Sequence, residues 1–224
     1  MHINATPSTV NTSVVAFEDA ASVNLVANSG SVSITGNFST TVVTLGQSGQ
    51  GLNSLATTAG INANVSVLGV HTLIVAGNGN TTTQENVTVT ESTISGRGLF
   101  GNDAVKLTYS NTKEVIIRTG QLADGYLVAG SKPGASFRSQ IEFADFSKVG
   151  LNVIAFVDAG SLLNLGLGNL FASPNTASLY IVAAAGGTFS QSIPNTPDGT
   201  EDVTFAGTDT SEIVYDGFGS VTHS

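Results

Sequence analysis

The chain is predicted to be all-β, and three observations predict it. Short stretches alternate apolar and polar residues with period two, Val, Ile and Thr supply most of their members, and Gly, Asn and Ser bound them about every ten residues early in the chain. A β-sandwich-like fold of one or two units is favoured, with a β-solenoid or parallel β-helix as the alternative. Both give a rhythm of short strand and small-residue turn, but a regular solenoid asks for a copied motif, and the spacing here repeats none.

The elements follow in order. Residues 9–17, from Thr9 through Val14 and Val15 to Phe17, are uncharged and able to extend. They are read as a strand that adds to a neighbouring sheet or as an edge strand of their own domain. Strands are then expected at 23–26, 31–35 and 41–45, where Val23, Leu25, Val32, Ile34, Val43 and Leu45 turn inward and Asn24, Ser33 and Thr44 turn out, since one register puts each set on its own face. The pattern recurs at 65–68, 72–76, 86–90, 104–109 and 114–118, with Val65, Val67, Leu73, Val75, Val105, Leu107 and Ile116 as core. It continues at 126–129, 141–143, 152–157, 179–183, 202–205 and 212–215, with Val153, Phe156, Ile181 and Val203 inward. Two short stretches read as helices, 51–58 and 159–171, the second carrying Leu162, Leu163, Leu165, Leu167 and Leu170 and open to a tight Gly-broken turn instead. Residues 193–199 hold two prolines and an Asp-Gly pair and read as a loop. A Gly-rich stretch at 95–102 suggests a boundary between an N-terminal β region, 1–96, and a C-terminal one, 97–224.

At 224 residues and 41% hydrophobic content the chain is long and apolar enough to bury a core. Only 10% of residues are charged, far below the roughly 25% of an ordinary domain, so its surface is neutral and polar. That suits a subunit that covers much of itself with neighbours or works outside the cell. All seven cations (Arg97, Lys106, Lys113, Arg118, Lys132, Arg138 and Lys148) fall in one belt, which makes the segment charges −4 over 1–96, +2 over 97–148 and −7 over 149–224. Opposite potentials of this kind steer subunits into register, a contribution expected to weaken with salt. The net charge of −9 argues against nucleic acid. No apolar run approaches the ~20 residues of a membrane-spanning helix. Residues 1–20 have no basic n-region or apolar h-region, so a secretion signal is expected to be removed, carried elsewhere in a longer precursor, or absent.

Cysteine is absent, which removes disulfides and thiol chemistry. His2, His71 and His223 have no local ligand partners, and no hydrolase signature occurs. Gly96 to Gly101 matches G-x-G-x-x-G as a string but lacks the long helix a dinucleotide site needs. Three acids, Asp198, Glu201 and Asp202, crowd a Gly-containing turn, and such hard oxygen ligands suit calcium. Asp145 and Asp158 are candidates for a glycosidase-type acid pair across a sheet, although the chain has no Trp and four Tyr for sugar platforms. Sequons stand at Asn4, Asn11, Asn37, Asn64, Asn80 and Asn86 and permit glycans.

Gly101-Asn102-Asp103, followed by alternating Val105 and Leu107, resembles the turns of secreted RTX and bacterial S-layer proteins. Phe143 to Ser147, leading into Val149 and Leu151, is similar to a segment of such surface proteins. The resemblance implies an extracellular or cell-surface protein and calcium at turns of the Asp103 type. Together these readings lead to a non-enzymatic structural subunit of an extracellular assembly (S-layer, filament or matrix) that associates with itself through strand edges and charge. A carbohydrate-active β protein and a virion structural protein are the alternatives.

Overall fold

The computed structural model describes residues 1–16, 21–46, 56–80, 85–118, 120, 124–129, 140–145, 151–157, 162–169, 177–189, 199–204, 210–216 and 218–224. Among these the protein is all-β, with no helix. Its strands in chain order are β1 (His2–Ile3), β2 (Thr12–Ala16), β3 (Ser22–Leu25), β4 (Val32–Gly36), β5 (Val42–Leu45), β6 (Val65–Ala76), β7 (Asn86–Val89), β8 (Thr93–Arg97), β9 (Lys106–Arg118), β10 (Asp124–Ala129), β11 (Gln140–Asp145), β12 (Leu151–Val157), β13 (Leu162–Asn169), β14 (Ala177–Ala183), β15 (Thr188–Phe189), β16 (Gly199–Thr204), β17 (Thr210–Asp216) and β18 (Ser220–His223).

The chain shuttles between two ladders. The first holds β1, β3, β5, the second half of β6, the second half of β9, β11, β13 and β17, every pairing parallel, and it ends on β16 and β15 in antiparallel pairing. The second holds β2, β4 and the first halves of β6 and β9 in parallel, then the antiparallel hairpin β8–β7, then β10, β12, β14 and β18 in parallel again. Strands β6 and β9 run through both ladders and join all eighteen strands into one hydrogen-bonded network. Each bends where it changes ladder, at residues in the left-handed region: Gly69 (φ 65°) and Asn111 (φ 51°). Glycine adopts that conformation at no steric cost and asparagine at little.

This is the connectivity of a solenoid wrapped around the two-layer core of a sandwich. Each coil places a strand beside the one two places back, at steps of about 20 residues where Thr12 meets Val32 and Ser22 meets Val42. The steps then lengthen, Val32 meeting Val65 and Val65 meeting Leu107. Extra chain between coils hides the repeat from a search for a fixed period. The inward rows, such as Val23, Val43, Leu73 and Val115 from one ladder and Val32, Val65 and Leu107 from the other, belong to one buried cluster. At roughly 1.5–3 kcal/mol per fully buried aliphatic side chain, that cluster is the main stabilising term.

The corner between the ladders is stitched by backbone. Ser29 N–H donates to Thr6 O (3.1 Å), Asn28 N–H to Gly60 O (3.0 Å) and Gly101 N–H to Ile61 O (3.1 Å), so successive coils stack through their turns. Gly30 allows the closest approach: a Cβ there would lie 2.3 Å from the carbonyl oxygens of both Pro7 and Val10.

Val23, Leu25, Val32, Ile34, Val43, Leu45, Val65, Val67, Leu73, Val75, Val105, Leu107, Val153 and Ile181 are buried as expected. Ile116 and Phe156 are not core: Val115 and Ile117 are buried around a partly exposed Ile116, and Ala155 and Val157 around a Phe156 that is 37% exposed. In both places consecutive apolar residues fit either register, and the ladder neighbours decide. Asn24, expected to face water, is buried, flanked in register by His2 and Thr44. The helix expected at 159–171 is replaced over Leu162–Asn169 by β13, held between β11 and β17. Of the helix expected at 51–58, residues 51–55 lie outside the described residues and 56–58 are not helical. The step between 96 and 97 falls at the end of β8, and the ten registered pairs of β6 with β9 join residues on either side of it.

Candidate functional site

The second ladder turns one face outward along its whole length. From β2 to β9 this face carries a row of hydroxyls, Ser13 beside Ser33, Ser66 and Thr108, with Thr93 of β8 next in line, and beyond it a mixed row, Val15, Thr35, Leu68 and Ser110, in which Val15 and Leu68 are exposed. Period-two alternation makes the hydroxyl row inevitable once Val14, Ile34 and Val67 face the core. Asn11, Ser31, Asn64 and Lys106 form the row on the other side of the hydroxyls, and these two rows line a groove of about 400 Å³. Its outward side chains are mostly small and polar, Val32 and Val65 line it as well, and Lys106 is its one ionisable group. Lys106 is oriented by its backbone, whose N–H donates to Asn64 Oδ1 (2.9 Å). The groove can hydrogen-bond a hydroxyl-rich surface but holds no pair of groups for acid–base work.

A smaller pocket, about 310 Å³, opens among Glu85, Asn86, Arg97 and Gly125. Glu85 is fully buried at its floor. It accepts a hydrogen bond from the Tyr126 hydroxyl and another from Asn80 Nδ2 (2.9 Å). Asn80 in turn accepts from Thr57 Oγ1 (2.8 Å), and Thr58 Oγ1 donates to Leu99 O. This network ties four separate segments together, which is what a buried carboxylate needs to be tolerated. It also occupies Asn80, whose amide nitrogen is thereby engaged, whereas Asn4, Asn11, Asn64 and Asn86 are exposed sequon sites.

The residues singled out from sequence land as follows. Asp198 lies outside the described residues, and Glu201 and Asp202 sit on β16 in register with Ile213 and Glu212. Gly199 to Asp202 is therefore strand where a turn was expected, because the antiparallel ladder with β17 extends to Gly199. Among the described residues no three His, Cys, Asp or Glu side chains gather as a metal site. Asp145 is on β11, and Asp158 lies outside the described residues. Asp103 closes its own turn, accepting from Gly98 N–H (3.1 Å), while Asn102 Oδ1 accepts from Ala104 N–H (3.0 Å). The G-x-G-x-x-G string ends in that turn and leads into β9. His71 meets Thr72 Oγ1 (2.9 Å) at the β6 bend, and His223 stacks near Phe189 with ring centroids 4.6 Å apart.

The hydrogen-bonding roles of Glu85, Tyr126, Asn80 and Asn28 were not found from sequence, which singled out Asn80 as a sequon alone. A lone acid before a strand and an Asn in a turn read as solvated, and only long-range pairing brings their partners in. Tyr109 is a further buried polar group: its hydroxyl donates to Thr90 O, and burial first, then the nearby Glu91 charge, push its pKa far above the ordinary value of 10.0. The folded state thus holds this proton more tightly than the unfolded chain. The stabilisation is complete below about pH 10 and falls as pH rises beyond it. In urea titrations between about pH 8 and 11.5, the stability advantage of the native chain over Tyr109→Phe should shrink above pH 10. A constant difference would refute it.

The two ends of the ladders complete the picture. Among the described residues β1 pairs only with β3, β2 only with β4, β15 only with β16 and β18 only with β14. No Lys, Arg, Asp or Glu stands on β1, β2 or β18. No protein family, curated protein or solved structure matches the chain.

Proposed function

We propose that the protein is a non-enzymatic structural subunit of an extracellular assembly, an S-layer, filament or matrix, and that copies add end to end through their strand edges. The observation that carries this reading is the polarity of the edges left unpaired among the described residues. Strands β2 and β18 run the same way in the second ladder. In the first ladder β15, reached from β17 by two antiparallel steps, runs the same way as β1. The far end of one copy can therefore continue the near end of the next with both new pairings parallel, a head-to-tail contact of the kind that polymerises when it does not close into a ring. Lysine, the usual guard of a sheet edge, is missing from all four edge strands.

The cation belt lies mid-stack, on the end of β8 and on β9 among the described residues, so end-to-end addition joins two chains of net charge −9 through edge strands that carry no Lys or Arg, against their mutual repulsion. Salt should then strengthen the end contact by screening that repulsion, and charge complementarity is left to staggered side-by-side contacts. Light scattering on the purified chain is expected to show concentration-dependent assemblies that grow between about 0.02 and 0.5 M NaCl, as the Debye length falls from roughly 20 to 4 Å. A chain that stays monomeric across both salt and concentration would overturn the proposal. The hydroxyl-lined groove favours a second reading, a carbohydrate-binding surface, which retention on insoluble polysaccharide would distinguish.

A further inference from the structure

On the N-terminal half of the second ladder's outward face the exposed Val15 and Leu68 are separated by Thr35, whereas toward the C-terminal end the apolar side chains become contiguous. Leu127, Ile154 and Tyr180 are consecutive in register across β10, β12 and β14 and are 39, 42 and 39% exposed, with Phe156 one step along β12. Three large apolar side chains in a hydrogen-bonded row, joined by a fourth, are more than the scattered apolar exposure of an ordinary surface.

We propose that this strip is a lateral docking surface for a second copy of the chain, packed on itself about a two-fold axis at β12. Charge argues for a copy rather than another partner. The chain carries −9, so two copies repel wherever carboxylates meet. Yet the remaining outward positions of this strip, among them Asn152, Ser178, Ser220 and Thr222, are all uncharged. The outward side of β9 in the first ladder, by contrast, carries Glu114 and Arg118. A partner recognised by charge would find nothing to pair with on the strip, whereas a second strip is complementary to it.

Size sets the strength. Four strands about 4.8 Å apart, each with three outward residues about 6.8 Å apart, cover roughly 400 Å². That is half of the ~800 Å² that each partner contributes to a standard interface. Isolated pairs are therefore weak, and the contact becomes persistent when end-to-end stacks present many strips at once. The surface is distinct from the strand edges and does not rest on their use.

The test exploits the absence of native cysteine. Facing sheets pack about 10 Å apart, so a bismaleimide of about that span should link Ile154→Cys chains into covalent dimers and leave Ser33→Cys chains, labelled on the hydroxyl half of the same face, unlinked. By sedimentation equilibrium Ile154→Asp should raise the Kd of the lateral dimer at least tenfold while its circular dichroism is unchanged. Equal linking of the two cysteine variants, or identical sedimentation of native and Ile154→Asp chains, overturns the proposal. So does loss of polysaccharide retention in Ile154→Asp with sedimentation unaltered, which hands the strip to a glycan. Repeating the crosslink in a Ser13→Pro background, where end-to-end stacking is blocked, separates the two contacts: linking retained there supports the strip whatever becomes of the stacking, and linking lost there overturns it as an independent surface.

Discussion

Alanine at position 28 is expected to cost about 2–3 kcal/mol of stability, a large share of the 5–15 kcal/mol of a typical domain. Asn28 is 1% exposed. Its Nδ2 donates to Gly30 O (3.0 Å) within its own turn and to Ala63 O (2.9 Å) in the next coil, and its Oδ1 accepts from Asn62 N–H (3.2 Å). Truncation takes a donor from two carbonyls: Ala63 O loses its side-chain partner, whereas Gly30 O keeps the bond from Thr6 Oγ1 (3.3 Å), and a buried acceptor left bare costs on the order of 1–3 kcal/mol. Asn62 N–H is less affected, since it also donates to Asn28 O (3.0 Å). Asn28→Asp decides between hydrogen bonding and volume. It fills the same space but sets a carboxylate against the two carbonyls, so it should be at least as damaging as alanine. Urea midpoints showing Asn28→Asp close to native would mean that the side chain acts as filler and that the corner is held by backbone alone.

Much of the fold was legible because alternation fixes which face of a strand is buried once the strand is isolated by turns. Val23, Val32, Ile34 and Leu45 each stand between polar or small neighbours and face inward, and Leu25 and Val43, each with a single apolar neighbour (Val26 and Val42), do so too. Legibility failed where three apolar-capable residues run together. Val115, Ile116 and Ile117 offer two registers of equal hydrophobicity, and so do Ile154, Ala155 and Phe156. Only the partners Val128 and Ile181, which flank Ala155 in the ladder, select the inward residue. The leucines from 162 to 167 could not be read as strand because Gly166 and Gly168 weaken the local preference, and their support comes from β11 and β17. The choice between sandwich and solenoid depends on register between strands 20 to 50 residues apart, which composition does not encode. The same limit hid the buried network, since Glu85 acquires Tyr126 and Asn80 only when the hairpin β7–β8 docks beside β10. The edge strand, by contrast, was visible at once, as an uncharged segment with no lysine to guard it.

Proline at position 13 should abolish end-to-end assembly and leave a folded monomer. In β2 the N–H of Thr12 points to β4, donating to Ser31 O (2.9 Å). Backbone groups alternate along a strand, so the N–H of Ser13 points the other way, to the open edge, as does that of Val15. Proline removes one of the two β2 donors that face the edge, and its ring projects into the space where the next strand must lie. Ser13 is exposed and its side chain faces outward, so the core loses nothing. The expected cost to the monomer is below about 1 kcal/mol, within the range of a surface substitution. Thr12→Pro is the matched control. Placed one residue earlier, it deletes the bond to Ser31 and should lower the denaturation midpoint. If Ser13→Pro chains reach the same size by light scattering as the native chain at equal salt and concentration, the β2 edge is not where copies join.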